Sequence, residues 1–323
     1  MQTLLDPAIL FFVFGVFAGA VRSNLEIPKP IATFLSLYLL MALGLKGGFA
    51  LAQTGVTLSV AVSLAAAVTM AFVVPVLGYF LLRRFVASFD AAAVAAAYGS
   101  VSAVTFVTAM QMLENTGLPF GGHMAVAMVL MESPAIIVAV LIANTLRHAN
   151  GAAAPTTPGD TTIGKILHES FTNGAHLLLL GALLIGYVSG EAGQKVMQPF
   201  SLDLFKGMLA FFLLDMGLMV ARNFQDARKA SPVLVAYALL APPVHAAIAL
   251  ALAMGIGMTV ADAALLMVLS ASASYIVVPA VLRQAIPEAN PAIYFGLSLG
   301  ITFPLNILVG IPAYIGVARW ALG

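Results

Sequence analysis

The chain has no cysteine, a single tryptophan and only 8% charged residues among 323. Without cysteine there are no disulfides, no thiolate zinc sites and no thiol nucleophiles. So little charge excludes an ordinary water-soluble domain, in which about 25% of residues are charged. Fourteen Lys and Arg against thirteen Asp and Glu leave a net charge of +1, so bulk charge draws the chain neither to nucleic acid nor to acidic partners. What is abundant is apolar: 62% of the residues are hydrophobic. The composition is that of an all-α integral membrane protein.

A helix crosses a bilayer in ~20 residues. Charges, glycines and prolines divide the chain into ten apolar segments of that order, near 7–22, 31–51, 56–82, 91–113, 122–146, 174–190, 202–221, 232–257, 262–283 and 291–320. No Lys or Arg precedes the first run, Pro7 to Val21, so it reads as a retained span rather than a secretory leader. Ala149 to Gly164, rich in Ala, Thr, Pro and Gly, reads as a flexible connection. The expected organisation is five helices in 1–148, a linker over 149–172 and five helices in 173–323.

With the N-terminus outside, the inner loops hold Arg22, Lys29, Arg83, Arg84, Arg147, Lys165, Arg222, Arg228, Lys229 and Arg283. The outer side keeps only Lys46, Lys195, Lys206 and Arg319. This positive-inside bias puts both termini outside and the linker in the cytoplasm, as for a multi-pass protein of the cell (inner) membrane.

The halves resemble one another. Phe34–Gly48 echoes Leu209–Ala221, and an offset of 170 pairs Ser100 with Ser270, Ser102 with Ser272, Glu114 with Gln284 and Pro134 with Pro304. Gly15 and Gly19 answer Gly186 and Gly190 at 171. An odd number of spans per half inverts the second copy, and inverted repeats are the habit of secondary transporters, whose substrate sites lie at the midplane where the repeats meet. Similarity by chance between apolar helices is the alternative.

The fourth and ninth segments carry Tyr98-Gly99-Ser100-Val101-Ser102-Ala103-Val104-Thr105 and Ser270-Ala271-Ser272-Ala273-Ser274-Tyr275 about halfway along. Small hydroxylated residues weaken a helix there. A half-helix N-terminus exposes unpaired N–H groups and about half a positive charge, so two such ends meeting make an anion site without Lys or Arg. Ser102 and Ser272 would supply central hydroxyls, with N–H groups from Ser100, Ala103, Ala273 and Ser274. The same residues also permit close helix packing.

Glu132 lies about ten residues into the fifth segment, where a charge costs roughly 2.5–3.5 kcal/mol on insertion scales and marks a functional candidate. Pro134 frees a carbonyl in the preceding turn. At the repeat-related position, Thr302 and Pro304 supply a hydroxyl and another carbonyl, with Asn306 nearby. Oxygen donors around Glu132, Ser133, Thr302 and Asn306 suit sodium, and a protonated Glu132 bonded between helices is the alternative. Asp215, in the seventh segment, has no hydroxyl cluster beside it. His148, His168 and His176 fall in the linker region, His123 at a loop edge and His245 after Pro242-Pro243. No metal spacing occurs among them. Gly15-x-x-x-Gly19 and Gly186-x-x-x-Gly190 let helices approach closely and read as packing or oligomer contacts.

At these residues the chain resembles the sodium-dependent bicarbonate transporter family, the cyanobacterial-type bicarbonate permeases. The resemblance runs through LEIPKPIATFLSLYLLMALGLKGG, YGSVSAVT, SPAIIVAVLIAN and LAPPVHAAIALALAMG to VLRQAIPEANPAIYFGLSLGITFPLNILVGIPAYIG, the last being the most specific. It implies ten helices in two inverted five-helix repeats, crossing of the fourth and ninth helices at the anion site, a homotrimer, an elevator-like movement and sodium-coupled bicarbonate uptake. In some members it implies regulation by a PII-like cytoplasmic protein. The chain departs from the family pattern in having Ser274-Tyr275 where an Asp follows the serine run, and Glu132 where the fifth-helix motif carries Asp.

The expected function is therefore secondary transport of a small anion, bicarbonate first, with sodium and no other cofactor. A proton-coupled or organic-anion carrier of the same fold and a passive channel are the alternatives. An intramembrane enzyme is disfavoured because there is no G-x-S-x-G elbow and Asp215 has no intramembrane Asp partner.

Overall fold

The computed structural model describes residues 6–55, 57–149, 174–228 and 230–323. The 149–172 linker lies outside them but for its first residue. In chain order the helices are α1 (Pro7–Ala20), α2 (Lys29–Thr54), α3 (Leu58–Leu82), α4 (Ser88–Gly99), α5 (Ala103–Asn115), α6 (His123–Leu130), α7 (Glu132–Ala149), α8 (Gly174–Gln198), α9 (Phe205–Arg228), α10 (Pro232–Ile256), α11 (Val260–Ala271), α12 (Val277–Ala285) and α13 (Pro291–Leu322). Among the described residues every regular element is helical.

Local chemistry sets many of the ends. Asp6 caps α1 by accepting the Ala8 N–H at 2.8 Å, and Pro7 occupies a first-turn position that needs no donor. Ser231 and Pro232 open α10 in the same way, and Gly257, with φ of 70°, closes it in the left-handed region. Pro304 cannot donate to the ladder within α13. On either side of it, at Ser298–Thr302 and Asn306–Gly310, the helix widens into π turns.

Among the described residues seven helical stretches are long and apolar enough to cross a membrane: 29–54, 58–82, 88–115, 123–148, 174–224, 232–256 and 291–322. The 51-residue stretch would be roughly 77 Å long at 1.5 Å per residue, more than twice a hydrocarbon core of about 30 Å. It is interrupted by Gly190, whose φ of 55° and ψ of −144° are non-helical, and by the π turn Pro199–Asp203. Two expected segments thus fall in one stretch. Two others, 7–22 and 262–283, appear as the short α1 and as the pair α11 and α12.

Two parallel helix pairs frame the molecule, and glycine sets both. A Cβ added to Gly15 would fall 2.3 Å from the Leu214 carbonyl oxygen, and one on Gly217 would fall 2.2 Å from that of Phe12, so α1 and α9 touch backbone to backbone. A Cβ on Gly44 would fall 2.3 Å from the Leu179 oxygen and one on Gly48 2.1 Å from that of Leu183, which places α2 on α8 in the same way. Gly186 joins this contact at Leu45, but Gly190 meets nothing within 4 Å. Gly190 is a kink glycine with no packing contact inside the chain.

The other helices form a second group, in which α3 packs on α4, α10 on α11, α4 on α7, and α11 on the end of α13. The alanine-rich α4 is buried from Ala91 to Gly99, because small side chains let neighbours close on every side. That burial holds the interruption after Gly99 at the centre of the protein.

Candidate functional site

Two helices stop and restart inside the fold. α4 ends at Gly99, Ser100 turns to extended backbone, and α5 starts at Ala103 with Ser102 as its cap. The Ser102 hydroxyl accepts the Thr105 N–H at 3.3 Å and the Thr105 hydroxyl at 2.9 Å. α11 ends at Ala271, Ser272 is extended, and α12 starts at Val277. The Ser274 hydroxyl accepts the Val278 N–H at 3.3 Å and so serves the first turn of α12.

The interruptions meet. The Ser102 N–H donates to the Ser272 hydroxyl at 2.9 Å, and that hydroxyl donates onward to the Leu269 carbonyl at 2.8 Å. The Ser274 N–H donates to the Ala97 carbonyl at 2.8 Å. Ser100 and Ser270, paired by the offset of 170, both bury hydroxyls that have no hydrogen-bond partner among the described residues. Gly99 is a packing position, since a Cβ there would fall 2.5 Å from the Pro75 ring. Ala273 is buried with the α4 and α10 residues.

A cavity of about 90 Å³ opens beside the crossing. Val101 to Val104 line one side and Ser274 to Val277 another, so the N-termini of α5 and α12 share it. Ser36 and Leu40 of α2, Met128, Glu132, Ala175 and His176 complete the wall. The space suffices for several waters or one small anion. Each helix N-terminus brings partial positive charge, and among the described residues no Lys or Arg lines the wall. Tyr275 borders it with its ring on Phe303, centroids 5.2 Å apart, and its hydroxyl 3.7 Å from the Met216 sulfur.

Glu132 begins α7, is buried, and its Oε2 contacts Nε2 of His176, also buried. The sequence places His176 in the linker region. It stands instead in the first turn of α8, because Leu179 packs on Gly44 and carries His176, one turn earlier, to the level of Leu40 and Met41, about halfway along α2. The signal for it was weak: one histidine at the start of an apolar run, 44 positions from its partner.

Thr302 and Asn306 lie elsewhere. Thr302 shares a 2.6 Å hydrogen bond with the Tyr98 hydroxyl and donates to the Ala238 carbonyl at 2.9 Å. Asn306 donates to the Ala271 carbonyl at 2.8 Å and accepts the Tyr314 hydroxyl at 3.3 Å. Both side chains brace the interrupted helices from behind, and neither lines the cavity that contains Glu132. Ser133 is buried beside Glu132, outside the cavity wall. The structure thus brings Ser102, Ala103, Ser274, Tyr275 and Glu132 to one space and keeps Thr302 and Asn306 apart from it. Asp215 is buried on α9, away from the cavity wall.

A comparison with curated proteins returned no match. The model of the Na+-dependent bicarbonate transporter superfamily matches residues 7–319, which include every helix of the two interruptions and the cavity between them. The chain therefore belongs to the Na+-dependent bicarbonate transporter superfamily.

Proposed function

We propose that the protein is a secondary transporter that takes up bicarbonate with sodium, binding the anion between the N-termini of α5 and α12. The observation that carries this reading is the convergence of Ser102-Ala103 and Ser274-Tyr275 on one cavity whose described wall holds no Lys or Arg. Two helix N-termini suit a small oxyanion. The unpartnered hydroxyls of Ser100 and Ser270 support a polar occupant close by.

Sodium belongs at Glu132 in this reading. A buried carboxylate on the wall of an anion cavity repels the anion unless neutralised, and a cation on it makes the two loads arrive together. Carbonyls loosened by Pro134 add oxygen donors. Thr302 and Asn306, given their partners, shape the site from behind. Proton coupling is the second reading, favoured by one observation, the contact of Glu132 with His176.

The wider architecture follows the same proposal. Ten crossings in two inverted repeats are supported by the matched pairs α1 with α9 and α2 with α8: Gly15 on Leu214 and Gly186 on Leu45 exchange the roles of the two halves. The packing groups, α1-α2-α8-α9 and the remainder, suit a movement of one against the other. Both termini outside, an inner-membrane location, a homotrimer and a PII-like regulator at the cytoplasmic linker complete the proposal.

The test is uptake of labelled bicarbonate into proteoliposomes under an imposed sodium gradient and, separately, a pH gradient. Accumulation that follows sodium supports the first reading, accumulation that follows the pH gradient alone supports the second, and equilibration without accumulation indicates a channel.

A further inference from the structure

Glu132 and His176 come from different packing groups. Glu132 begins α7, which packs with α3 and α4, whereas His176 is on α8, which packs along α2. Both side chains are buried, and both form the wall of the cavity that the two helix N-termini share. The imidazole thus occupies one side of the carboxylate that, in the function proposed above, receives the cation.

We propose that His176 is a positioning residue that holds Glu132 while the cation site is empty and is displaced from it when sodium enters. The reason is electrostatic. A carboxylate removed from water is costly without a partner, and an unpaired one on this wall would oppose the anion. An imidazole N–H on the carboxylate meets that demand in the empty protein, and sodium meets it in the loaded one. The exchange also links cation binding to the contact between packing groups, since releasing His176 removes a polar tie between α7 and α8. The inference rests on Glu132 being the cation ligand.

Its consequence is competition. Sodium must displace a charge-assisted hydrogen bond, a stronger contact than a neutral one. Removing the donor should make sodium bind more tightly, whereas a residue with a merely structural role would loosen the site when removed. The probe is sodium alone, with choline as the replacement ion, and the readout is the sodium concentration that gives half of the ion-induced rise in melting temperature of the purified full-length protein at constant pH. His176→Leu should lower that concentration about tenfold, as expected for loss of a hydrogen bond to a charged group. His176→Gln, which retains an N–H donor and polarity, should fall between it and the wild type, and it carries the test if the leucine variant does not fold. An unchanged or higher half-saturation concentration in both variants, beside a clear sodium response in the wild type, overturns the inference while leaving the sodium site standing. A wild type that does not respond to sodium overturns the cation site itself, and the inference with it.

Discussion

The Ser102 N–H reaches the Ser272 hydroxyl at 2.9 Å across 170 positions of the chain, and it does so where two helices stop and restart. Ser102 lines the cavity and Ser272 stands behind it, and among the described residues the wall holds His176 but no Lys or Arg. In the proposed function an anion at this crossing is held by backbone N–H groups and hydroxyls, which makes the two serines the first residues to test.

The double variant Ser102→Ala, Ser272→Ala should raise the bicarbonate concentration for half-maximal uptake about tenfold or more. Side-chain volume alone suggests that alanine is harmless here, but the structure adds a cost, because Ser102 caps α5. Loss of that cap should lower stability by about 1 kcal/mol. Melting temperature and uptake kinetics, measured on the same preparation, separate the two effects. A variant with lower stability and unchanged half-saturation would return both serines to a purely structural role.

Lys46 pairs with both carboxylate oxygens of Glu114, at 3.0 and 3.1 Å, and lies 3.8 Å from the centroid of the Phe205 ring. Its side chain is buried while that of Glu114 is part-exposed. Lys46→Met should therefore destabilise by about 2–3 kcal/mol, less than for a fully buried pair. The double variant Lys46→Met, Glu114→Leu should recover most of this loss, because no lone charge remains. Melting temperatures of the three variants and the wild type complete the cycle.

Glu288, in the turn between α12 and α13, accepts Arg147 Nε at 2.7 Å and Nη2 at 2.8 Å. The Arg147 hydrogen bonds hold its carboxyl below the usual carboxylate range, outweighing the opposite effect of partial burial. A group with a depressed folded value stabilises the fold above its unfolded value, and that stability is lost as pH falls through the folded one. The wild type should lose melting temperature on acidification across and below the ordinary glutamate range. Glu288→Gln should start lower at neutral pH and show a shallower acid loss. Parallel acid slopes in the two proteins would contradict this.

Much of the site was legible because its chemistry is local. Gly99-Ser100-Val101-Ser102 and the serine run from Ser270 are poor helix interiors amid apolar sequence, and both became interruptions. Glu132 was legible as an isolated carboxylate in an apolar run. Its partner was not, because His176 follows a linker and reaches Glu132 only through the packing of α8 on α2. The grouping of Thr302 and Asn306 with Glu132 came from repeat position, which specifies depth in the fold but not the face of a helix. Those side chains turn to Tyr98, Ala238 and Ala271 instead. The count of crossing-length helices also differed from the ten segments, since hydropathy registers neither the Gly190 kink nor a helix divided at Ser272.

The topology can be mapped without a cysteine-free background having to be built, since the chain has no native cysteine. A single cysteine in the 149–172 linker should resist an impermeant maleimide added to whole cells and react once the membrane is opened. A cysteine at Gly55 or Gly117 should react from outside. Labelling of the linker in intact cells would invert the proposed orientation.

The central claim is that an anion held between α5 and α12 is drawn in by a cation at Glu132. Initial uptake of labelled bicarbonate into proteoliposomes, measured against external sodium for the wild type and Glu132→Gln side by side, tests it most directly. The account predicts saturable, sodium-driven accumulation by the wild type and loss of the sodium dependence in Glu132→Gln, with the variant protein still folded. Sodium-driven accumulation of wild-type magnitude in Glu132→Gln would contradict it.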